Sequence, residues 1–281
     1  MQSIYKTEEG KREILATYQG ILQAWPVPNK QYTVKTAYGD TFVIESGESD
    51  APAMLLLHGS MANSFTWFSD VPTLSEHYHV FAVDLIGEAG FSAESRPAYQ
   101  SGAYEKWLDE VLGRLGIASC SMVGLSLGGW MALRYATAFP EKVDRLVLLC
   151  PGGLFRERRD FLWKSLLMKL QKGGVDKTVR GMMSGGQAEA DGMEHVLAYI
   201  ALIGRQEKPR MAKLVIFSDK ELARLTMPVY VLFGDSDIVL RAEESVARIA
   251  RIAPNVQTEI LPNTGHAVVG QAQRILKFLN G

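Results

Sequence analysis

The chain carries a serine between two glycines at positions 124–128, where it reads Gly-Leu-Ser-Leu-Gly. The preceding residues 121–123 are mainly apolar, and residues 129–133 favour a helix. A tight turn from a strand into a helix brings backbone segments together, and glycines two residues before and after its apex leave room for that approach. Such a turn projects the central side chain into a cleft, so Ser126 is the candidate nucleophile.

A serine nucleophile needs a general base, and the base needs an acid that orients it. His266 follows the apolar stretch 256–261 and precedes a helical C-terminal segment, which places it in a loop after a late strand. Two acids, Asp235 and Asp237, come just after another apolar stretch, 229–233. These residues predict His266 as the base and leave two candidates for the acid.

Two backbone N–H groups should stabilise the oxyanion that forms when the serine attacks a carbonyl group. One is the N–H of Leu127, directly after the nucleophile. The other is assigned to Ser60, because the apolar stretch 54–57 ends in His58-Gly59-Ser60 and the glycine lets the backbone bend close to a substrate. His58 itself is expected to support this loop rather than to act as the base.

Five segments of the chain carry a likeness to known proteins. They are Trp25-Pro26-Val27, Tyr38-Gly39-Asp40-Thr41, Asp50-Ala51-Pro52, Val83-Asp84-Leu85-Ile86-Gly87 and Gly124-Leu125-Ser126-Leu127-Gly128-Gly129. Over nearly its whole length the chain resembles a single-domain α/β-hydrolase, and more closely the bacterial carboxylesterases of the naproxen-esterase type. The chain order Ser126, Asp237, His266 is the α/β-hydrolase order. The resemblance implies that Asp237, third after the strand-ending glycine, is the acid.

The resemblance implies hydrolysis of a small-molecule ester by this triad, and no motif in the chain predicts a cofactor or a metal. The same triad could instead cleave a C–C bond in a β-diketone-like substrate, hydrolyse a lactone, or transfer an acyl group to peroxide or an alcohol. A slow-turnover ligand-sensing module is a further alternative. Many relatives carry Asp-x-x-Gly-x-Gly-x-Ser, whereas residues 84–92 hold one residue more between the glycines. That loop is expected to rim the pocket.

Apolar strand patterns and helical patterns alternate along the chain. The predicted strands are 32–37 and 41–46, which flank a hairpin turn, and then 54–58, 79–84, 120–124, 143–150, 229–234 and 256–261. Alternation of this kind predicts an α/β fold, here the α/β-hydrolase fold with a mostly parallel eight-stranded sheet flanked by helices. Ligands gather at the carboxyl ends of such strands, where the candidate site residues fall.

Residues 152–226 break the alternation, since helical stretches such as 160–171 and 194–203 occur there without a strand pattern. A structureless loop of this length is improbable in a compact domain. We therefore expect an inserted helical cap at 152–226 and a core of residues 1–151 and 227–281, with an N-terminal helix at about 8–24. The apolar face of the cap would include Phe161, Leu162, Leu166, Leu167 and Leu170.

Composition excludes several classes of protein. A net charge of −1 and an apolar content of 47% describe an ordinary globular chain rather than a nucleic-acid-binding or disordered one. No stretch approaches the length that membrane insertion needs, and the first residues carry no secretory signal pattern. These features predict a cytoplasmic protein with no nucleic-acid partner, and they leave the oligomeric state open.

The remaining cysteines and histidines predict no metal site. Cys120 and Cys150 lie at the ends of apolar strands and are expected to be buried free thiols. His77 and His79 would share one side of a strand, but no third ligand is near them in the sequence. His195 falls in the predicted cap, and whether it lines the pocket is left open.

Overall fold

One sheet of eight strands organises the part of the chain that the computed structural model describes. The described residues are 3–158, 174–182, 193–210, 212–253 and 255–281. The strands are β1 (Asn29–Thr36), β2 (Gly39–Ser46), β3 (Ala53–Leu57), β4 (His79–Val83), β5 (Cys120–Leu125), β6 (Val143–Leu149), β7 (Val229–Gly234) and β8 (Val256–Leu261). Their spatial order is β1-β2-β4-β3-β5-β6-β7-β8. Strand β2 is antiparallel to β1 and β4, and the other neighbouring pairs are parallel, which confirms the predicted sheet.

Helices connect the strands. In the described residues they are α1 (Glu8–Gln23), α2 (Val71–Ser75), α3 (Ala103–Leu115), α4 (Leu127–Ala138), α5 (Gly174–Met182), α6 (Met193–Gln206), α7 (Asp219–Leu222), α8 (Ala242–Ile252) and α9 (Ala272–Asn280), with short 3-10 turns at Ser64–Trp67 and Pro140–Lys142. The predicted N-terminal helix corresponds to α1, which the side chain of Thr7 caps by accepting from the Gly10 N–H at 3.0 Å. Among these helices, none combines the length and the apolar character that a membrane span requires.

The central strands are apolar because helices cover both faces of the sheet. Every residue of β5 and β7 is buried, as is typical of parallel strands between two helical layers. The predicted bounds of β7 and β8 agree with the structure. Strand β1 begins at Asn29 rather than at residue 32, because its antiparallel partner β2 extends to Ser46 and pairs with it there. Parallel strands end at one edge of the sheet, so the loops after β3, β5, β7 and β8 meet there.

About a third of the predicted cap falls on residues 159–173 and 183–192, which lie outside the described residues. This holds for the predicted helix at 160–171 and for its apolar face. The predicted helix at 194–203 corresponds to α6, where Tyr199 contacts Phe65 at 5.6 Å and Tyr18 at 6.4 Å between ring centroids. Helix α6 therefore packs on the core, while the bounds 152–226 remain a prediction. The side chain of His195 is also outside the described part.

Candidate active site

Ser126 lies at the corner between β5 and α4 with φ 51° and ψ −106°. A positive φ in a residue other than glycine costs about 1–3 kcal/mol and persists where the surroundings hold it. The Ser126 N–H donates to the Leu149 carbonyl at 2.8 Å. Its own carbonyl accepts from the N–H groups of Trp130, at 2.9 Å, and Gly152, at 3.2 Å. The serine backbone is therefore fixed by β6, by α4 and by the segment after β6.

The glycines around Ser126 allow this corner to form. A Cβ added to Gly124 would lie 2.5 Å from the Gly128 carbonyl oxygen. A Cβ added to Gly128 would lie 2.1 Å from the carbonyl oxygen of Leu57, at the end of β3. Both distances are to backbone atoms that cannot rotate away. The glycine spacing noticed in the sequence thus has a steric cause, the close approach of β3, β5 and α4.

We expect Gly128→Ala to lower the free energy of unfolding by about 3 kcal/mol, because its Cβ would overlap the backbone oxygens of Leu57 and His58. Gly113→Ala in helix α3 is the matched control, since a Cβ there meets nothing within 4 Å. This control should stabilise the protein by about 0.5–1 kcal/mol, as alanine favours a helix interior more than glycine does. Urea denaturation followed by circular dichroism measures both, and equal effects of the two changes would contradict the steric account.

The side chains of Ser126, His266 and Asp237 form one hydrogen-bonded line. The Ser126 Oγ lies 2.9 Å from His266 Nε2, and His266 Nδ1 lies 2.8 Å from Asp237 Oδ2. This network assigns the ring proton to Nδ1, which donates to the carboxylate, and leaves Nε2 to accept from the serine hydroxyl. The three residues that the sequence placed after β5, β7 and β8 are thus in contact, with the imidazole between a hydroxyl and a carboxylate.

Asp237 is 4% exposed and keeps its charge through its partners. Burial opposes ionisation, but the His266 imidazole and the N–H groups of Leu240 and Val239 outweigh it and lower the pKa of this carboxyl below its ordinary value. Its Oδ1 accepts from Val239 at 2.7 Å and from Leu240 at 2.9 Å. These two bonds orient the carboxylate so that Oδ2 faces the ring.

Asp235, the other acid candidate, lies away from the imidazole and holds the loop that carries it. Its carboxylate accepts from the Asn263 N–H at 3.1 Å and from the Thr264 N–H at 3.3 Å. The hydroxyl of Ser236 also donates to it, and this bond together with the two from the loop lowers the pKa of Asp235. The geometry gives the two aspartates separate partners, His266 for one and the loop backbone for the other.

Leu127 directly follows Ser126, and the loop that carries Ser60 passes beside it, while the assignment of their N–H groups as oxyanion donors remains a prediction. Leu127 is the first residue of α4, and the first N–H groups of a helix have no partner within it. Ser60 is exposed at the end of the β3 loop. A Cβ added to the preceding Gly59 would lie 3.6 Å from the Ser126 Cβ, so this loop passes directly beside the serine.

His58 links the β3 loop to the loop after β4. The ring is fully buried, and its Nε2 accepts from the Leu85 N–H at 2.8 Å. Its Nδ1 therefore carries the proton and donates to the Gly59 carbonyl at 2.8 Å. Burial lowers the pKa of His58, which keeps the ring neutral in this arrangement. The expectation that His58 supports the loop agrees with these contacts.

Sequence reasoning gave Asp84 no role beyond the resemblance, yet its buried carboxylate joins three segments of the fold. Its Oδ1 accepts from the Tyr18 hydroxyl at 2.9 Å and from the Ser64 hydroxyl at 2.7 Å, and its Oδ2 accepts from the Phe91 N–H at 3.0 Å. These donors belong to α1, to a 3-10 turn and to the loop after β4. In the sequence, the one signal of this role was the position of the aspartate directly after a strand that is predicted to be buried.

In the described part of the chain, one group of three side chains could offer ligand atoms to a metal ion. The group is Cys150, Asp237 and His266, whose ligand atoms lie within 4.8 Å of one another. Burial, and then the charge of Asp237, raise the pKa of the Cys150 thiol, which disfavours the thiolate that a metal needs. Cys120 and Cys150 are both free and buried. His79 pairs with the Glu45 carboxylate at 3.0 Å.

Residues 54–278 match the model of the Alpha/beta hydrolase family. Two relatives from Bacillus subtilis (strain 168) match 94% of the chain. An uncharacterized carboxylesterase nap is 27% identical over 277 residues, with 91% of its own length covered, and carboxylesterase YbfK is 26% identical over 275 residues, with 92% covered. The crystal structure of naproxen esterase (carboxylesterase NP) from Bacillus subtilis superposes with a TM-score of 0.86 at 28% identity, over 98% of this chain and 100% of that one.

Proposed function

Since the chain belongs to the α/β-hydrolase family and is an enzyme of the carboxylesterase type, we propose that it hydrolyses small-molecule carboxylic esters through an acyl-enzyme intermediate on Ser126. The observation that carries this proposal is the line of hydrogen bonds from the Ser126 hydroxyl through His266 to Asp237, at 2.9 and 2.8 Å. It supplies the nucleophile, a neutral base and a charged group that orients the base.

In the acylation half-reaction, His266 Nε2 takes the hydroxyl proton as Ser126 Oγ attacks the ester carbonyl carbon. Asp237 stabilises the imidazolium that results, because its carboxylate already accepts from Nδ1. The backbone N–H groups of Ser60 and Leu127 donate to the oxyanion of the tetrahedral intermediate. Loss of one such donor costs roughly a hundred- to a thousandfold in turnover.

Collapse of this intermediate breaks the ester C–O bond, and His266 gives its proton to the departing alkoxide. Water then enters, and the same imidazole takes a proton from it as the water oxygen attacks the acyl carbon. The second tetrahedral intermediate breaks to release the carboxylic acid and returns the proton to Ser126 Oγ. The imidazole therefore ends each cycle as it began, with Nε2 able to accept the proton of Ser126 again.

Pre-steady-state hydrolysis of p-nitrophenyl esters of increasing acyl length tests this proposal. We expect a burst of nitrophenol close to stoichiometric with the enzyme, followed by slower steady turnover, wherever deacylation limits the rate. Acid quenching during the burst, followed by mass spectrometry of the peptide that contains residue 126, should show the added acyl mass. A lack of turnover and of adduct across the whole ester series would overturn the proposal in favour of C–C hydrolysis or ligand sensing.

A further inference from the structure

A second buried carboxylate, Glu88, contacts the loop that carries the assigned oxyanion donor. Glu88 belongs to the lengthened loop after β4 and is 4% exposed. Its Oε2 accepts from the backbone N–H of Met61 at 2.7 Å. Met61 directly follows Ser60, so this bond fixes the backbone next to the proposed donor. The mechanism derived above does not use Glu88.

The backbone at Met61 needs such a restraint. Met61 has φ 54°, a left-handed conformation that a residue with a flexible side chain adopts only when its surroundings impose it. A bond from an N–H to a carboxylate is among the stronger hydrogen bonds in proteins. The Met61 side chain also reaches α6, since a Cβ added to Gly204 would lie 3.4 Å from its terminal methyl group. The turn after Ser60 is thus held between the β4 loop and α6.

We propose that Glu88 is a positioning residue, whose carboxylate holds Met61, and through it the Ser60 N–H, in the orientation that stabilises the oxyanion. The inference rests on the proposed ester hydrolysis and deepens it, because it assigns the alignment of one oxyanion donor to a side chain outside the triad. Glu88 touches neither the substrate carbonyl nor the triad in this scheme. It acts on turnover through the backbone alone.

Glu88 is itself anchored to the end of α6. Arg96 donates from Nε to the Gly87 carbonyl at 2.7 Å, from Nη1 to the Lys208 carbonyl at 2.8 Å, and from Nη2 to the Glu207 carboxylate. One guanidinium thereby joins the residue before Glu88 to the residues that follow α6. These hydrogen bonds of Arg96 hold the backbone next to Glu88 against the residues that follow α6.

Burial raises the pKa of Glu88 to about 7, against the opposing effects of the Met61 N–H and of Arg96 and Arg210. Glu207 faces the same space, and burial, followed by the charge of Glu88, raises the pKa of Glu207 well above its ordinary value. The other titratable groups that sense the charge of Glu88 are Tyr99 and Tyr104, which the Arg210 guanidinium also contacts. Glu88 therefore gains charge as the pH rises through neutrality.

The test compares kcat and KM of Glu88→Ala and Glu88→Gln with those of the wild type. We expect Glu88→Ala to lower kcat by about ten- to a hundredfold while KM changes by less than about threefold, because only the transition state uses the oxyanion donor fully. Glu88→Gln keeps the shape and an acceptor oxygen but no charge. The ratio of wild-type to Gln-variant kcat should rise between pH 6 and pH 8, because Glu88 gains charge over this range.

Glu94→Ala is the matched control. Glu94 also accepts a hydrogen bond from a backbone N–H, at 2.9 Å, but the donor is Ile4, which is far from Ser60 along the chain. It should leave kcat unchanged. A folded Glu88→Ala with wild-type kcat, a loss confined to KM, or a pH-independent ratio would overturn the proposal.

Hydrogen exchange of the Met61 amide separates this inference from the proposed function. It should speed up by about tenfold in Glu88→Gln, because a weaker acceptor lets the amide open more often. If the wild type hydrolysed no ester, the proposed function would fail, while faster exchange would still support the link from Glu88 to Met61. Unchanged exchange in both variants would refute that link, whatever the activity.

Discussion

Ser126→Ala is expected to lower kcat for ester hydrolysis by roughly ten-thousandfold to a millionfold, since removal of a serine nucleophile has effects of this size in related triads. The alanine leaves His266 with no hydroxyl to deprotonate and the substrate with no atom to acylate. Folding should be unaffected, because among the described residues the side chain of Ser126 hydrogen-bonds to His266, a contact that the fold does not depend on. Steady-state kinetics with a p-nitrophenyl ester measures the loss, and circular dichroism checks the fold.

Ser121→Ala provides the matched control, because Ser121 is a buried serine of β5, the strand that ends just before Ser126. Its kcat should equal that of the wild type. A fluorophosphonate probe should label the wild type and Ser121→Ala but not Ser126→Ala. Turnover at the wild-type rate by Ser126→Ala would show that another residue is the nucleophile.

Asp237→Asn is expected to lower kcat by about ten-thousandfold at neutral pH. The amide that faces His266 Nδ1 would be either a donor or a weaker acceptor, so the imidazole would lose the tautomer that leaves Nε2 free to accept the serine proton. The amide oxygen can still accept from the Val239 and Leu240 N–H groups, which preserves the local fold. Steady-state kinetics across pH 6 to 9 measures this loss.

Asp235→Asn, the same substitution two residues earlier, is the matched control for Asp237→Asn. Asp235→Asn should keep kcat within about tenfold of the wild type, because Asp235 bonds to the backbone of the histidine loop and not to the ring. Its effect should fall on the melting temperature instead. If Asp235→Asn lost activity and Asp237→Asn kept it, the acid would be Asp235, and the geometry drawn for the site would be wrong.

Local patterns were enough to predict the elements that build the site. The apolar run that became β7 agrees with the structure residue for residue, because a strand buried on both faces must be apolar throughout. The predicted bounds of β8 also agree, although β8 is an edge strand in which only Leu261 is buried. The glycine spacing around Ser126 predicted the corner, and the backbone contacts at Gly124 and Gly128 supply its cause. The start of β1 was predicted at residue 32 instead of Asn29, because it depends on the length of the partner strand β2.

The choice between neighbouring acids was beyond any local pattern. Asp235 and Asp237 lie in one loop after one strand, and residue types alone allow either to face an imidazole. The resemblance favoured Asp237, but the physical reason why Asp237 rather than Asp235 faces the imidazole lies in the fold. The N–H groups of Val239 and Leu240 turn one carboxylate inward, and those of Asn263 and Thr264 hold the other at the surface.

The sequence by itself determined the order of strands and helices and the residues at the strand ends, since apolar periodicity and glycine spacing are properties of short segments. Only the tertiary structure decided which groups meet. The hydrogen bonds from Met61 to Glu88, from His266 to Asp237 and from Ser126 to His266 join residues 27, 29 and 140 positions apart. Such contacts depend on how the whole sheet brings its loops together, which no local pattern contains.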